Sequence, residues 1–488
     1  MNRVQNSAGC PVGLIRLITC LAIALLLISC ATEKQVRPGV EHPMNWQAGE
    51  GQAGGIVDKW WTGFGDTNLV LLIDEAIQEN PDLKAMNARV GAVVEQSRIA
   101  GAALLPTVDL QGGASRQQQV FVGLPIPGAA GPLKTRSTSY NLSLISSWEL
   151  DLWGRIRAGK QAALADYLAA TDELRGARLS LVAQTVRAWF QLAEANRQLG
   201  LAEATVNSFN SSAARVRERY DEGLRSSLDL RLALNAEANA GALRALRKSE
   251  HQTAQRQLES LLGRYPAGSF DRAQMLPALA ESVPAGIPSE MLDRRPDLQA
   301  AEWRLNAARL RVDEAKAALF PRISLTASGG RTSNELDDLL SHDFGVWSIG
   351  ANFVQPLFNG GRLRSNVRLN RARVTEAVEN YRSTLLKAFR EVETALANEA
   401  LLHSREQELN EAAKQARAAE KLAVDRYESG LESFLAVLES QRRSLDADSL
   451  VISVRRQRLD NRVALHLALG GGFSWDATGV EEGKAKTK

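Results

Sequence analysis

Apolar residues and alanine recur every seven positions through two long segments of the chain. No proline occurs between Lys134 and Tyr265, and none occurs after Pro356. The first series is Tyr167, Leu174, Leu181, Ala188, Ala195, Ala202, Phe209 and Val216, and the second, 207 residues later, is Val374, Tyr381, Ala388, Ala395, Leu402, Leu409, Ala416 and Ala423. Eight heptads in register predict helices that pack as coiled coils. The segment from Arg155 to Tyr220 would form one helix of roughly 100 Å.

Shorter segments alternate between apolar and polar residues, as β-strands do. The clearest has Tyr140, Leu142, Leu144, Trp148, Leu150 and Leu152 on one side, and its counterpart has Trp347, Ile349, Phe353 and Leu357. Two weaker segments carry Val108, Leu110, Gly112 and Ala114, and Ile323, Leu325 and Ala327. Strands that face lipid in an outer-membrane barrel have this period, but so does a half-buried soluble hairpin. Both interpretations stay open on the alternation alone.

The chain contains an internal duplication. Pro81-Asp82-Leu83 recurs at an offset of 215 residues as Pro296-Asp297-Leu298. Gly154-Arg155-Ile156-Arg157 recurs at an offset of 207 residues as Gly361-Arg362-Leu363-Arg364. Arg219-Tyr220 and Gly223-Leu224 recur as Arg426-Tyr427 and Gly430-Leu431. The offset changes within the Gly- and Pro-rich segment from about Gln117 to Lys134, whose counterpart is Gly329 to Phe344. These segments are predicted to be loops, where a change of length costs little free energy.

The duplication divides the chain into two repeats. Residues 67–265 are predicted to form the first repeat, residues 266–289 a linker, residues 290–470 the second repeat and residues 471–488 a tail. Each repeat would contain a helix, two strands and a helical hairpin. The first helices end before Pro106 and Pro321, because the residue before a proline disfavours the helical conformation. The hairpins turn at Gly223 and Gly430, and the return helices begin near Leu228 and Leu435.

Four strands in one chain are too few to close a transmembrane barrel. Such a barrel needs at least about eight strands. Several chains would therefore have to share one barrel, with two chains giving eight strands and three giving twelve. A barrel joined to helices of this length would form a duct.

The N-terminus has the features of an exported lipoprotein. Residues 1–29 are predicted to be a signal peptide, with an apolar stretch from Leu17 to Ile28 that is too short to span a bilayer. Leu27-Ile28-Ser29-Cys30 resembles a lipobox, so the mature chain would begin at a lipidated Cys30 and residues 30–66 would form the lipidated N-terminal segment. An ordinary signal peptide that ends near a cysteine is the alternative. The other two cysteines, Cys10 and Cys20, would leave with the signal peptide.

The composition and the motifs of the chain argue against an enzymatic or nucleic-acid-binding function. The net charge is only +3, which gives no basic bias towards nucleic acid. The five histidines are His42, His251, His342, His403 and His466, and their spacing predicts no metal site. No nucleotide-binding loop or nucleophile elbow occurs. We therefore expect a protein that is not an enzyme and that needs no cofactor apart from the covalent lipid on Cys30.

The lipobox and the duplicated segments resemble the TolC/OprM outer-membrane factor family. Two further segments carry the same resemblance: Ser147-Trp148-Glu149-Leu150-Asp151-Leu152-Trp153-Gly154-Arg155 and Gln355-Pro356-Leu357-Phe358-Asn359-Gly360-Gly361-Arg362. The lipidated, NodT-like efflux branch is most similar. The resemblance implies a mixed α/β membrane protein that is mostly α. On this resemblance, four strands per chain would form an outer-membrane β-barrel of twelve strands in a homotrimer, and the barrel would be continuous with a long helical periplasmic tunnel.

The resemblance also implies partners and sites. The partners are a periplasmic adaptor protein, an inner-membrane transporter of the RND type and outer-membrane lipid. The hairpin turns would form the tip that docks the adaptor, and the residues carried over are Arg219, Gly223, Leu224, Ser227 and Leu228, and Arg426, Gly430, Leu431, Phe434 and Leu435. Leu435 and Glu439 would form the periplasmic aperture. The alternatives are that each glycine only ends a helix and that Glu439 is a solvated surface residue.

The function implied is that of a passive exit duct for small molecules in a tripartite efflux pump. The duct would lie in the outer membrane of a Gram-negative bacterium and reach into the periplasm. Two alternatives remain. One is an exit duct for type I protein secretion, which shares the architecture, and the other is a lipidated periplasmic scaffold without a pore. The sequence does not identify the cargo.

Overall fold

The computed structural model describes residues 46–48, 59–121, 133–270, 276–279 and 288–471. The predicted signal peptide, Cys30 and nearly all of the predicted tail lie outside the described residues. Within them, the elements of the first half are a 3₁₀ helix (Trp60–Phe64), α1 (Thr67–Glu79), α2 (Pro81–Ala102), β1 (Thr107–Phe121), β2 (Leu133–Leu150), α3 (Arg155–Asp221) and α4 (Ser227–Leu261). Those of the second half are α5 (Pro288–Arg294), α6 (Pro296–Ala317), β3 (Arg322–Ser333), β4 (Gly345–Val354), α7 (Arg362–Glu428) and α8 (Phe434–Ala468), with 3₁₀ turns at Asp337–Leu340 and His342–Phe344.

Prolines and polar caps set the starts of the short helices. Pro81 and Pro296 occupy the first turns of α2 and α6, where a missing backbone N–H costs nothing. The side chain of Asn80 accepts a hydrogen bond from the backbone N–H of Leu83 at 3.0 Å and so caps α2. Helix α1 ends at Glu79 and α5 at Arg294, so each proline begins a new helix directly after a preceding one.

The two long helices have the same length, 67 residues each, which corresponds to roughly 100 Å. Both begin after a glycine with a positive φ, Gly154 at 74° and Gly361 at 81°. None of the sixteen heptad positions is exposed. Eight of them are buried and eight are partly buried, so the heptads mark the face on which both helices pack.

The four strands form one antiparallel sheet in the order β1-β2-β3-β4. Thr107 pairs with Ser147, Tyr140 with Ser333 and Arg322 with Val354 at the ends of the three ladders. Strands β1 and β4 are therefore the two edges of the sheet.

The strands differ from the prediction at their ends. Strand β1 continues to Phe121 and β2 already begins at Leu133, so both ends of the predicted loop between Gln117 and Lys134 are strand. Strand β3 likewise extends to Ser333. Leu152 and Leu357 fall beyond their strands. For Leu357 the reason is Pro356, which cannot donate to a ladder.

A large hydrophobic core lies where the N-terminal elements pack on α3. Trp61, Ile73, Val182, Trp189 and Phe190 are almost fully buried there. The indole N–H of Trp189 donates to Oδ2 of Asp66 at 2.8 Å, and the same carboxylate caps α1. Helix α3 packs against α1, α2, α4, α6 and α8, whereas α7 packs mainly against α6 and α8.

Candidate functional site

The two hairpin turns are built in the same way. Helices α3 and α7 are each followed, two residues after their last residue, by a glycine: Gly223 with a φ of 73° and Gly430 with a φ of 74°. The N–H of Leu224 donates to the carbonyl of Arg219 at 2.8 Å, and the N–H of Leu431 donates to that of Arg426 at 2.9 Å. These bonds span the αL residue and satisfy carbonyl groups at the helix end. The glycines thus end the helices, whatever binds there.

Ser226 and Ser433 begin the return helices. The side chain of Ser226 accepts from the N–H of Asp229 at 3.2 Å, and that of Ser433 accepts from the N–H of Ala436 at 3.4 Å. Each turn therefore lies between a left-handed glycine and a serine N-cap, both supplied by the local sequence.

The turns expose four leucines in two equivalent pairs. Leu224 and Leu228 belong to the first turn, Leu431 and Leu435 to the second, and each is between 63% and 69% exposed. Apolar groups exposed together on a surface mark sites of interaction. The structure thus places four of the predicted docking residues where a partner could reach them, and their docking role remains a prediction.

Phe434 does not share this exposure. Its side chain is 2% exposed and lies in a cluster with Ala213, Val216, Ala233, Tyr427 and Val437. The ring of Phe434 packs against that of Tyr427, with the centroids 5.3 Å apart. Its inclusion among the docking contacts is therefore corrected: Phe434 joins the two hairpins internally, because a ring at this position fills the space between α3 and α8.

Tyr427 joins the two turns. The guanidinium of Arg225 lies over its ring at 4.3 Å and donates to its carbonyl at 3.2 Å, and Arg219 lies 5.8 Å from the ring centroid. Burial raises the pKa of the Tyr427 hydroxyl, and the charge of Asp229 acts in the same direction, whereas Arg225 and Arg219 oppose it. The internal duplication pairs Arg219 with Arg426 and Tyr220 with Tyr427, but it does not predict the contact between Arg225 and Tyr427.

The predicted aperture residues lie one turn apart on α8. Glu439 is paired with Arg442 at 3.0 Å and with Arg443 at 2.8 Å. The hydrogen bond from Arg443 lowers the pKa of the Glu439 carboxyl, and the charge of Arg442 adds to this effect. Glu439 is therefore ionised and partly exposed near the tip, and its role at an aperture remains a prediction.

At the other end of the long helices, the sheet has two chemically different faces. Residues that pair directly across a ladder share a face. One face, here called the apolar face, carries Leu110, Leu144, Trp148, Leu325 and Phe353. The other, the polar face, carries Asp109, Gln111, Asn141, Glu149 and Asn352.

Aromatic side chains lie where the sheet meets the helices. The indole N–H of Trp148 donates to the carbonyl of Leu104 at 2.9 Å, and that of Trp153 donates to the carbonyl of Pro321 at 2.8 Å. The ring of Trp153 stacks on Phe320 with the centroids 5.1 Å apart. Tyr140 and Trp347 lie farther along the apolar face. Aromatic side chains at both margins of an apolar band are typical of outer-membrane proteins.

Among the residues that the structure describes, no group of three or more His, Cys, Asp or Glu side chains is placed to hold a metal ion. None of the helices within the described ranges is both long and apolar enough to cross a bilayer.

An antiparallel sheet with one apolar face, joined to two helical hairpins of roughly 100 Å, defines an outer-membrane channel of the TolC fold. The family of outer membrane efflux proteins matches residues 72–264 and 287–471. The chain belongs to this family. It is located in the outer membrane of a Gram-negative bacterium and acts as the outer-membrane channel of an efflux system.

Known proteins support this assignment over nearly the whole chain. The outer membrane protein OprJ of Pseudomonas aeruginosa is 35% identical over 94% of this chain and 96% of its own length. The toluene efflux pump outer membrane protein TtgF of Pseudomonas putida is 33% identical over 86% of this chain and 85% of its own. The crystal structure of the CmeC outer membrane channel of Campylobacter jejuni superimposes with a TM-score of 0.85 at 25% identity, covering 90% of this chain and 95% of that one.

Proposed function

We propose that three copies of this chain close into one passive duct through which an efflux pump releases small molecules. The observation that carries the proposal is the sheet with two free edges, β1 and β4. Strand edges expose unpaired backbone groups, which no lipid can satisfy. Three chains would join β1 of one copy to β4 of the next and give twelve strands, above the minimum of about eight for a closed barrel.

The hairpin tips supply the docking surface for a periplasmic adaptor protein. Leu224, Leu228, Leu431 and Leu435 provide exposed apolar groups there. The adaptor would link the duct to an inner-membrane transporter of the RND type, which supplies the energy. On this proposal the duct itself carries out no reaction and needs no cofactor, and its outer-membrane end is anchored further by lipid on Cys30.

The names of the relatives favour small molecules as the cargo. TtgF is named for efflux of toluene, and toluene is a small apolar compound. Secretion of polypeptides would use the same architecture. Export assays on a deletion strain separate the two, because loss of solvent or drug tolerance with normal protein secretion supports efflux.

Planar-bilayer recordings on the purified full-length protein test the duct itself. We expect stable single-channel conductance from a species whose mass, measured by native mass spectrometry, equals three chains. A stable monomer without conductance would instead support the scaffold without a pore. An oligomer of another size would contradict the trimer but retain the pore.

The aperture is tested by the charge of Glu439. Three copies of this carboxylate around an axis would attract cations. We expect Glu439→Gln to reduce the preference of the channel for cations over anions. Glu432→Gln, which removes a carboxylate from the turn of the same hairpin, is the matched control. Unchanged selectivity in Glu439→Gln would remove this residue from the aperture.

A further inference from the structure

The carboxylates of the described strands all lie on one face of the sheet. Among the described residues of the four strands, the apolar face carries four cationic side chains and no carboxylate, whereas the polar face carries Asp109, Glu149 and one cation, Arg322. The four cations are Arg116, Lys134, Arg136 and Arg331. Arg116, Lys134 and Arg136 therefore have no carboxylate on their own face of the described strands.

Three of these cations form one cluster on neighbouring strands. Arg116 pairs with Thr138, Gln118 with Arg136 and Val120 with Lys134. Arg116 and Arg136 are therefore diagonal neighbours, with their Cα atoms about 7–8 Å apart. Lys134 and Arg136 lie two positions apart on β2, about 7 Å. Arg116, Lys134 and Arg136 are called the basic cluster below.

The side chains of the basic cluster are exposed and partly oriented. All three are exposed, and Nε of Arg136 donates to Oε1 of Gln118 at 2.8 Å. Like charges placed this close repel each other and destabilise the strand pair. An anion bound between them would remove that repulsion, and guanidinium groups bind phosphate oxygens in a bidentate manner.

The position of the cluster along the strand indicates which anion can reach it. From Leu150 to Tyr140 the apolar face of β2 extends about 33 Å along the strand. At the usual strand tilt this equals about 25 Å along the membrane normal, the height of the apolar band of outer-membrane proteins. Arg136 lies four residues beyond Tyr140, on the side away from the helices. It therefore lies at the level of the lipid headgroups on the outer side of the membrane.

We infer that the basic cluster binds the phosphate groups of a phosphorylated lipid in the outer leaflet. This inference rests on the proposed function, which places the sheet in the outer membrane with its apolar face towards lipid. A lipid fits better than free phosphate, because the apolar band directly below the cluster contacts acyl chains while the cations contact the headgroup. Arg331 pairs with Leu142, nearer the middle of the band, and is not part of the cluster.

The test compares lipids that differ only in phosphate. The purified full-length oligomer is incubated with bis-phosphorylated lipid A, or with the same lipid lacking both phosphates, and bound lipid is counted by native mass spectrometry. We expect the wild type to prefer the phosphorylated lipid. Each cation near an anionic surface contributes about fivefold in affinity. Arg116→Gln, Lys134→Gln and Arg136→Gln together should therefore reduce the preference by on the order of a hundredfold.

Arg322→Gln is the matched control, because Arg322 is an exposed cation of the same sheet that lies on the polar face. It should leave the lipid preference unchanged. The pair Arg116→Lys and Arg136→Lys should retain most of the preference, since the charge is kept. Equal binding of the two lipids by the wild type would overturn the inference, as would a preference that survives in the triple variant.

Two further measurements keep the outcome decisive. If the triple variant does not assemble, the wild type is measured between about 50 mM and about 500 mM salt, where screening should weaken an electrostatic preference strongly. A preference that does not depend on salt would contradict the inference. Conductance of the wild type is recorded first: its absence would contradict the proposed function, whereas a conducting channel that ignores lipid phosphate would contradict only the basic cluster.

Discussion

The two long helices have the same length and the same glycine start, yet α3 buries more than twice as many of its residues as α7. Helix α3 packs against five other helices, whereas α7 packs mainly against α6 and α8. Trp189 of α3 is 1% exposed, and the equivalent residue of α7, Leu396, is only half-buried. Helix α3 thus lies inside the core of the chain, while α7 presents much of its surface outward.

The N-terminal residues cover equivalent parts of the two helices by different means. On α3, Val186 is fully buried in the main core. The equivalent residue of α7 is Glu393, whose carboxylate accepts from the backbone N–H groups of Gln47 and Ala48, both at 2.9 Å. Trp46 packs there edge-on against Phe389. The two helices keep the same backbone, but the side chains at equivalent positions differ because each helix has different neighbours.

This difference shows how two copies of one fold can make different contacts, one within the chain and the other with another copy of it. The exposed leucines of α7 are Leu369, Leu386, Leu401 and Leu422. Apolar side chains repeated along an exposed helix indicate contact with another copy. In this interpretation α3 stabilises the chain and α7 stabilises the assembly.

The largest expected effect tests the core side of the comparison. Trp189→Ala should lower the free energy of unfolding by about 3–5 kcal/mol, because it removes a buried ring and its bond to Asp66. Leu396→Ala, the matched control, should cost only about 1–2 kcal/mol, since part of this side chain already meets solvent. Denaturant unfolding followed by circular dichroism measures both. Equal losses would contradict the division between the helices.

A pH effect distinguishes the ends of the return helices. His466 stacks on Trp60 at 4.9 Å, whereas the equivalent residue Glu259 accepts from the N–H groups of Gly268 and Ser269. Burial, with a smaller effect of Arg462, lowers the pKa of His466 to about 4. The unfolded chain takes up this proton at about pH 6.5 and the folded chain only near 4. The neutral His466 side chain therefore makes its full contribution to the free energy of unfolding above pH 6.5. This free energy falls by up to about 3 kcal/mol as the pH drops to 4.

Unfolding measured at several pH values checks this expectation. His466→Gln should flatten the dependence between pH 4 and pH 6.5. His403→Gln, at an exposed position, is the control and should leave it unchanged. A wild type whose stability is constant across this window would contradict the role of His466.

The assembly side of the comparison predicts an effect of intermediate size. Leu401→Glu should weaken the oligomer by about 1.5–3 kcal/mol for each copy, because an apolar side chain would no longer be buried between chains. The fraction of assembled protein is measured in unheated gels and by native mass spectrometry. Lys421→Glu, also on an exposed position of α7, controls for the added negative charge. Full assembly of Leu401→Glu would place the contact elsewhere.

The smallest expected effect concerns the two turns. Arg225 contacts Tyr427, whereas its equivalent, Glu432, makes an exposed ion pair with Arg426 at 3.8 Å. Arg225→Gln should lower the local opening free energy of the tip by about 1 kcal/mol, because a cation–π contact is lost. Glu432→Gln should change it by less than about 0.5 kcal/mol. Hydrogen exchange of the turn amides measures both, and a larger effect for Glu432→Gln would reverse this assignment.

The sequence predicted those features that depend on local spacing. The heptads located the long helices because every seventh residue must return to the same face, and Gly223 and Gly430 located the turns because few other residues adopt a positive φ. The ends of β1 and β2 were missed. From Arg116 to Gln119 both faces are polar, so only backbone pairing with β2 shows that the strand continues.

Features that depend on distant contacts were harder to predict. The contact between Arg225 and Tyr427 joins residues 202 positions apart, and no periodic pattern reports such a pair. Phe434 was placed at the surface of the tip although it is buried. Its equivalent in the first repeat is Ser227, so the two copies do not share this side chain. A large apolar residue present in only one repeat was the available signal for packing between hairpins.

The unpaired edges of the sheet also affect the life of the chain before assembly. A single copy offers two rows of backbone donors and acceptors to any strand it meets, and such edges favour aggregation. The stability measured for this protein should therefore rise with its concentration, because assembly and folding are linked by mass action. Newly exported chains consequently have to find their own copies faster than they find other exposed strands.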